Sequence, residues 1–195
     1  MKSQTLVFFG IVGSGKGTQV ELLTNYLKDK DNKDILYAGT GEEFRKLIGT
    51  ESYTARRVRD SILKGELQPD FLTTTLFTNT LIHSLGEEEH LIADGYPRTV
   101  AQAESFDLMM KFFRRDKIKI IYIKISEEEA LKRNLLRGRE DDTEGGIARR
   151  IEEYKNNVIP AMDYFKDRDG YEICTVNGEQ SREDVYKDMI KALGF

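Results

Sequence analysis

The chain alternates between short apolar runs and longer stretches in which hydrophobic residues recur at helical spacing. The apolar runs are rich in Ile, Val, Phe and Tyr and span residues 6–9, 35–37, 90–93, 118–125 and 171–176. Helical spacing is clearest after the first run and at the end of the chain, at Leu22, Leu23, Tyr26 and Leu27 and at Val185, Met189, Ile190 and Leu193. Apolar runs this short predict buried parallel strands. The alternation therefore predicts an α/β fold with an open, mostly parallel sheet.

The composition predicts one soluble, globular domain. The 195 residues fit a single domain, 39% of them are hydrophobic, and no apolar run approaches the ~18 residues of a membrane span. No repeat or linker divides residues 1–195. The 30 Lys and Arg against 34 Asp and Glu give a net charge of −4, which offers no general attraction to nucleic acid or an anionic membrane. A polyanion is therefore expected to bind only at a focused site.

Cysteine and histidine are scarce. Because Cys174 is the one cysteine, an internal disulfide framework and a cysteine-built zinc site are excluded. The two histidines are too few to form a zinc site instead. We therefore expect no zinc and a reducing, cytoplasmic location. The apolar residues near the N-terminus are few and lead into a glycine-rich segment without a cleavage site, so a first strand is expected there rather than a signal peptide.

The glycine-rich segment follows the first predicted strand and opens a helix; residues 10–19 have the sequence GIVGSGKGTQ. Closely spaced glycines let successive backbone N–H groups face phosphate oxygens, and the helix adds its positive N-terminal end. The positive charge of Lys16 would then lie against the terminal phosphates. The segment meets most of the Walker A pattern, although Gly17 delays the hydroxyl to Thr18, and it lacks the third glycine of a dinucleotide fingerprint. A structural turn with a solvent-exposed lysine is the alternative.

Residues 13–19, GSGKGTQ, resemble the phosphate loop of the adenylate kinases, a family of nucleoside monophosphate kinases in which a glycine also separates the lysine from the threonine. One departure is Val12, where the family usually has proline. The resemblance implies ATP-binding roles for Gly13, Ser14, Gly15, Lys16, Gly17 and Thr18.

A second segment, residues 40–43, has the T-x-x-E pattern of a capping box and predicts a helix start after the second strand. It resembles the beginning of the family's acceptor flap, here residues 39–68. The resemblance places Thr40 near the adenine of AMP and Arg45 on its phosphate. The family usually has Ser, Asp and an apolar residue where this chain has Gly39, Glu42 and Glu43. The segment 65–70, GELQPD, resembles the end of the flap and implies AMP contacts at Glu66, Leu67 and Gln68.

Residues 94–99, DGYPRT, follow the apolar run at 90–93, which places Asp94 at the carboxyl end of a strand, where open α/β sheets bind ligands. A carboxylate beside a phosphate loop suits a water-mediated Mg²⁺, and Arg98 can hold a phosphate through two hydrogen bonds. A turn with a surface arginine is the alternative. The hexapeptide closely resembles a family motif, which implies that AMP contacts Gly95, Tyr96, Pro97 and Arg98 and that Gln102 pairs with its adenine.

An arginine cluster follows the fourth strand. Arg133 and Arg137 are four residues apart and share one helix face, Gly138 ends that helix, and Arg139 and Arg150 come after it. The alternative is a salt-bridged surface with no role in ligand binding. The segment resembles the short lid of compact adenylate kinases, here residues 136–142. That resemblance places Arg137 on ATP phosphates and Arg133 on the donor side. It places Arg139 and Arg150 on the transferred and acceptor phosphates, matches Asp141 and Asp142 to lid acids, and puts Gln180 at the ATP base.

The resemblance implies reversible, Mg²⁺-dependent phosphoryl transfer from ATP to AMP, giving two ADP, on a five-stranded parallel sheet with a flap and a short lid. The implied catalytic residues are Lys16, Arg98, Arg133, Arg139 and Arg150. We expect nucleotides as partners of a monomer, without nucleic acid or membrane. A UMP/CMP kinase is the first alternative, although Thr40 and Gln102 favour adenine. A nucleotide-binding module without turnover and a nucleic-acid-binding P-loop protein are the others; the chain shows no basic stripe with interleaved aromatics.

Overall fold

The computed structural model describes residues 2–138 and 142–195 of the chain. Its sheet has five strands in the order β2-β3-β1-β4-β5, and every pairing is parallel. The strands are β1 Thr5–Phe9, β2 Ile35–Gly39, β3 His90–Asp94, β4 Ile118–Lys124 and β5 Tyr171–Asn177. The predicted five-stranded parallel α/β fold is confirmed, and strand ends differ from the predicted ones by at most two residues.

Helices connect and cover the strands. They are α1 Lys16–Lys30, α2 Thr40–Ile48, α3 Tyr53–Leu63, α4 Asp70–Ser84, α5 Val100–Phe112, α6 Glu127–Arg137, α7 Glu144–Glu153, α8 Ile159–Asp163 and α9 Arg182–Ala192, with a π-helical turn at Tyr154–Val158 between α7 and α8. No described helix is both long enough and apolar enough to cross a membrane. The predicted end of α6 is confirmed, because Gly138 adopts a left-handed conformation directly after Arg137.

The sheet is buried on both faces, which explains why its strands appear in the sequence as nearly continuous apolar runs. On one face, side chains of α4, α5 and the α8 region, including Phe77, Phe106 and Phe165, pack on Val7 and Ile120. On the other face, α1 and α9 pack on the remaining strand side chains through Leu23, Leu27, Val185 and Met189. Since all strands are parallel, their carboxyl ends meet along one edge, and β1 and β3 are neighbours there.

One local prediction was wrong. The capping box at residues 40–43 does not form: α2 begins at Thr40 itself, its N-cap is Gly39, and no side chain caps it. The Thr40 hydroxyl instead donates a hydrogen bond to the Gly95 carbonyl at 3.0 Å. A tertiary acceptor on the neighbouring strand end therefore replaces the local one.

Asp107 on α5 ties that helix to the segment leading into β5. Its nearly buried carboxylate accepts hydrogen bonds from Lys111 at 2.8 Å, from the Tyr171 hydroxyl at 3.0 Å and from Arg168 at 3.3 Å. Burial alone would raise the pKa of the carboxyl, but the hydrogen bonds from Lys111 and Tyr171 and the charge of Arg168 hold it below its ordinary value of 3.8.

We expect Asp107→Ala to lower the free energy of unfolding by about 2 kcal/mol at neutral pH, because three donors lose a charged acceptor. A carboxyl whose pKa is depressed by folding stabilises above its unfolded pKa, and the contribution is lost as the pH falls through the folded value. In denaturant unfolding, the difference between the wild type and the variant should therefore shrink below pH 3.8. Asp163→Ala, which removes an exposed pair with Lys166, is the control and should change little. A difference independent of pH would contradict the assignment.

Candidate active site

The glycine-rich segment forms the loop between β1 and α1, as predicted. Gly13 has a φ of +82°, and a Cβ added there would lie 2.5 Å from Asn134 Nδ2 on α6. Only glycine fits, because the backbone conformation disfavours a side chain and α6 packs directly on the loop. Asn134 is fully buried and donates to the Ala130 carbonyl at 2.6 Å. Asn134 could not be predicted as part of the site from the sequence, since an isolated helical asparagine carries no signal of its own.

The N-terminus of α1 faces open space. Its N-cap is Gly15, no side chain caps it, and Cβ atoms added at Gly15 and Gly17 would meet nothing within 4 Å. The backbone N–H groups of the first turn, which includes Gly17 and Thr18, therefore have no side-chain acceptor, and the helix dipole makes this end positive. An anion can bind here without displacing protein groups.

Lys16 lies over the same loop. Its ammonium donates to the Gly10 carbonyl at 2.6 Å and to the Ile11 carbonyl at 3.1 Å. Burial lowers the pKa of Lys16 to about 8; the charges of Arg98 and Arg137 add to this effect, and Asp94 opposes it. The ammonium is thus held by neutral carbonyls among other cations, so an incoming anion would stabilise its charged form.

A cavity of about 850 Å³ lies between the glycine loop, helices α2 and α3, the end of β3 and helix α7. Among the described residues, its lining contains two acidic side chains, Glu66 and Glu153, and the following cations: Lys16, Arg45, Arg59, Arg98, Arg137 and Arg150. A chain with a net charge of −4 therefore concentrates positive charge in one cavity. The sequence predicted five of these six cations at one site.

The residues predicted for the acceptor largely share this cavity. Those lining it are Thr40, Arg45, Glu66, Leu67, Gln68, Gly95, Pro97, Arg98 and Gln102. Tyr96 does not: its ring is buried and stacks on Phe77 with the ring centres 4.2 Å apart. Arg98 precedes α5, whose N-cap is Thr99. The side chain of Gln102, in the first turn of α5, accepts a hydrogen bond from the Arg98 backbone N–H at 2.8 Å.

Glycine at 95 lets the β3 strand end approach the start of α2. Gly95 has a φ of +80°, and an added Cβ would lie 2.5 Å from the Thr40 hydroxyl oxygen and 3.0 Å from an Arg98 guanidinium nitrogen. The Arg98 Nε also donates to the Gly95 carbonyl at 2.9 Å. The turn therefore presents Thr40 and Arg98 side by side.

Gly39 stands where the family that the sequence resembles usually has serine, and the structure explains this difference. A Cβ at this position would lie 2.5 Å from the ring of Tyr37, whose hydroxyl donates to Asp94 Oδ2 at 3.2 Å. Burial and the neighbouring Asp94 raise the pKa of Tyr37, so the phenol remains a donor at neutral pH. Glycine at 39 thus makes room for a ring that orients the carboxylate at the end of β3.

Two of the predicted lid arginines are held by one buried carboxylate. Asp142 accepts from Arg137 at 2.9 and 2.8 Å and from Arg150 at 2.8 Å. Its side chain is fully buried, and leaving such a charge unpaired would cost several kcal/mol. The predicted residues Arg139 and Asp141 lie outside the described part of the chain.

Arg133 and Gln180 lie elsewhere on the same side of the fold, outside the cavity lining. Arg133 pairs with Glu129 at 2.6 Å and donates to the Gly178 carbonyl at 3.0 Å, which links α6 to the loop after β5. Gln180 in that loop donates to Asp188 at 2.8 Å. Ser14 is buried within the glycine loop and also does not line the cavity.

The segment after α3, which the sequence predicts as the end of the acceptor flap, touches α7. Glu66 pairs with Arg149 at 3.3 Å, and a Cβ at Gly65 would lie 2.8 Å from the Gly146 carbonyl oxygen. Arg150 lies on the same helix, so residues 65–66 pack against the helix that carries one of the predicted arginines.

The structure adds lining residues that the sequence did not single out. Arg59 enters from α3 and donates to the Ile48 carbonyl at 2.7 Å. Tyr154, at the start of the π-helical turn, lines the far wall and donates to the Tyr122 hydroxyl at 3.0 Å. Arg59 lies in a run with Arg56 and Arg57, and only the fold shows which of the three faces the cavity.

Comparison with known proteins agrees with this geometry. The family model described as adenylate kinase matches residues 8–170. An adenylate kinase 1 of Nostoc sp. is 31% identical over 97% of this chain and 98% of its own length. An adenylate kinase of Prochlorococcus marinus is 36% identical over 83% of this chain and 84% of its own length. An adenylate kinase of Thermus thermophilus is 32% identical over 98% of this chain and 98% of its own length. The chain belongs to the adenylate kinase family.

Proposed function

We propose that this chain, as an ATP:AMP phosphotransferase, transfers a phosphoryl group between MgATP and AMP in the cavity that its cations line. Family membership supports the reaction. The observation that supports its location is the convergence of six described cations on one cavity beside an uncapped helix N-terminus. Phosphoryl transfer depends mainly on positioning and on stabilising the negative charge of the migrating group, and this arrangement supplies both.

The glycine loop takes the donor phosphates in this proposal. Backbone N–H groups from Gly13 to Thr18, including those of Ser14, Gly15 and Gly17, face the phosphate chain, and the N-terminus of α1 adds its dipole. Lys16 leaves the two carbonyls it now contacts and meets the terminal phosphates. Arg133 supports the reaction from the donor side, and Gln180 is the residue we assign to the base of ATP.

The transferred group passes between Lys16, Arg137 and Arg150. Asp142 holds both arginines in place before any ligand arrives, so little reorganisation is needed when negative charge develops. Arg139 keeps its predicted role on the transferred phosphate. No step requires a covalent intermediate, because the AMP phosphate oxygen attacks the terminal phosphorus directly.

On the acceptor side, we assign the AMP phosphate to Arg45 and Arg98, and the adenine to Thr40, Gln102 and the flap backbone at 66–68. Residues 39–68 act as the acceptor flap and 136–142 as the lid. Closure of these segments would exclude water, which otherwise competes with AMP as the acceptor.

The residues around Asp94 fit a magnesium ion brought by ATP. The described chain contains no group of three or more His, Cys, Asp or Glu side chains that could hold a metal by itself. A single carboxylate oriented by Tyr37 suits Mg²⁺, which retains most of its water and is usually bound by one or two carboxylates together with substrate phosphates. When bound, the ion would neutralise charge on the phosphates.

We further propose that the enzyme acts as a cytoplasmic monomer. The residues to which we assign roles all belong to one chain, which is compatible with a monomer. Its one cysteine, Cys174, is buried and free, which suits a reducing compartment.

A panel of acceptors tests the assignment. With saturating MgATP, ADP formation from AMP should exceed that from UMP, CMP and GMP, because Thr40 and Gln102 line the cavity beside the acceptor phosphate site. Preference for a pyrimidine would instead support a UMP/CMP kinase. Tight nucleotide binding without transfer would indicate a binding module.

Removal of single cations tests the site. We expect Lys16→Met and Arg98→Ala each to lower turnover at least ~10²-fold, as is typical when a charge-stabilising group is lost. Lys46→Met and Arg56→Ala are matched controls because neither residue lines the cavity. Near-normal turnover in folded Lys16 or Arg98 variants would place the chemistry elsewhere.

Lys16 also predicts a pH dependence. Its pKa of about 8 in the ligand-free chain means that ATP phosphates, which favour the ammonium form, must draw a proton from solution at higher pH. We expect the affinity for MgATP to fall by up to about tenfold per pH unit above that pKa. Calorimetric titrations near pH ~8.5 in buffers of different ionisation enthalpy should show proton uptake by the wild type but not by Lys16→Arg, whose guanidinium stays charged. Equal heats in both buffers would exclude this role for Lys16.

A further inference from the structure

Gln102 is a buried amide held between two groups of opposite hydrogen-bonding character. Its Oε1 accepts from the Arg98 backbone N–H at 2.8 Å, and its Nε2 donates to Asp70 Oδ1 at 2.8 Å. Only 2% of the residue is exposed, yet it lines the cavity. Asp70 is the last residue of the segment 65–70 and does not itself line the cavity.

These two neighbours fix which way the amide faces. The Arg98 N–H can only donate, and an ionised carboxylate can only accept. Rotating the amide by 180° would place its oxygen against the Asp70 carboxylate and its NH₂ against the Arg98 N–H. Both hydrogen bonds would then be lost in a buried setting, so one orientation is strongly favoured.

Asp70 is itself held firmly. Its second oxygen accepts from the Thr99 hydroxyl at 2.9 Å, and that hydroxyl accepts from the Gln102 backbone N–H at 3.2 Å as the N-cap of α5. Asp70 also begins α4, where a negative charge is favourable. Asp70, Thr99 and Gln102 thus form a closed ring of hydrogen bonds that joins the starts of α4 and α5.

The fixed amide still has one free hydrogen-bonding position on each end. Oε1 has two lone pairs and uses one with the Arg98 N–H, and Nε2 has two hydrogens and uses one with Asp70. The remaining acceptor and donor match a 6-aminopurine, which offers an amino hydrogen at N6 and a lone pair at N1. A 6-oxopurine offers the reverse pattern, and an amide free to rotate could match either.

We propose that Asp70 is a positioning residue that makes the acceptor site discriminate 6-amino from 6-oxo purine monophosphates, by fixing the orientation of the Gln102 amide. This inference rests on the proposed function, in which Gln102 reads the acceptor base. Asp70 itself touches neither the substrate nor the reacting atoms.

The test compares AMP with IMP, which differ in the groups at N1 and C6. We expect Asp70→Ala to lower the ratio of kcat/KM for AMP to that for IMP by about tenfold, the value of one hydrogen bond of ordinary strength. KM for MgATP should stay near the wild-type value. Asp70→Asn should retain most of the discrimination, because its amide oxygen can still accept from Gln102 while its NH₂ faces Thr99.

Two controls separate positioning from stability. Asp184→Ala removes a carboxylate from the first turn of α9, which does not line the cavity, and should leave the AMP to IMP ratio unchanged. If Asp70→Ala does not fold, Asp70→Ser replaces it, since serine is tolerated at helix starts but is too short to reach Gln102.

An unchanged AMP to IMP ratio in Asp70→Ala or Asp70→Ser would overturn the inference, even if the thermal midpoint falls. Loss of discrimination in Asp70→Asn equal to that in Asp70→Ala would also overturn it, because the negative charge rather than the acceptor would then be responsible. Failure of the wild type to phosphorylate AMP would instead reject the proposed function, so the two failures are distinguishable.

Discussion

The structure depends on keeping several like charges within one cavity before any ligand binds. Lys16, Arg98, Arg137 and Arg150 would repel one another if they were left without partners. A few hydrogen-bond acceptors beside the cations offset this repulsion. Asp142 serves two arginines, and carbonyls of the glycine loop and of Gly95 serve Lys16 and Arg98.

Close backbone approach is the second requirement. At three places a glycine occupies a site where a Cβ would collide with a nearby side chain: Gly13 against Asn134, Gly39 against Tyr37 and Gly95 against Thr40. The contacts at Gly13 and Gly95 join separate elements, whereas the contact at Gly39 lies within β2. Gly13 and Gly95 therefore set how closely the glycine loop approaches α6 and how closely the end of β3 approaches α2. Gly39 shows that a departure from the usual family residue can be compensated, since Tyr37 occupies the space that a side chain would take.

The cavity is built from pieces that are far apart in the chain. Thr40 bonds to Gly95, Glu66 pairs with Arg149, and Asp70 bonds to both Thr99 and Gln102. These contacts tie the segment from Thr40 to Asp70 to the end of β3, to α5 and to α7.

Much of this molecule could be predicted from the sequence, because the information is local. The five strands follow from apolar runs that a doubly covered parallel sheet requires, and the glycine loop follows from its position between a strand and a helix. The parallel arrangement then places Asp94 and the loop at the same edge. Five of the six described cations of the cavity were also predicted, because local motifs of this chain resemble those of the adenylate kinase family.

Long-range contacts decided the rest. The T-x-x-E pattern at Thr40 predicted a local cap, but the carbonyl of Gly95, directly after β3, is the partner of that hydroxyl once the strands pair. The sequence could not distinguish Arg59 and Tyr154, which line the cavity, from neighbouring residues of the same helices, since only packing determines which side chain of a helix faces a cavity. Asp70 appeared as an ordinary residue after a proline. The sequence by itself therefore determined the elements and the local motifs, whereas the tertiary structure alone decided which partners each polar side chain finds, because those partners lie on other elements.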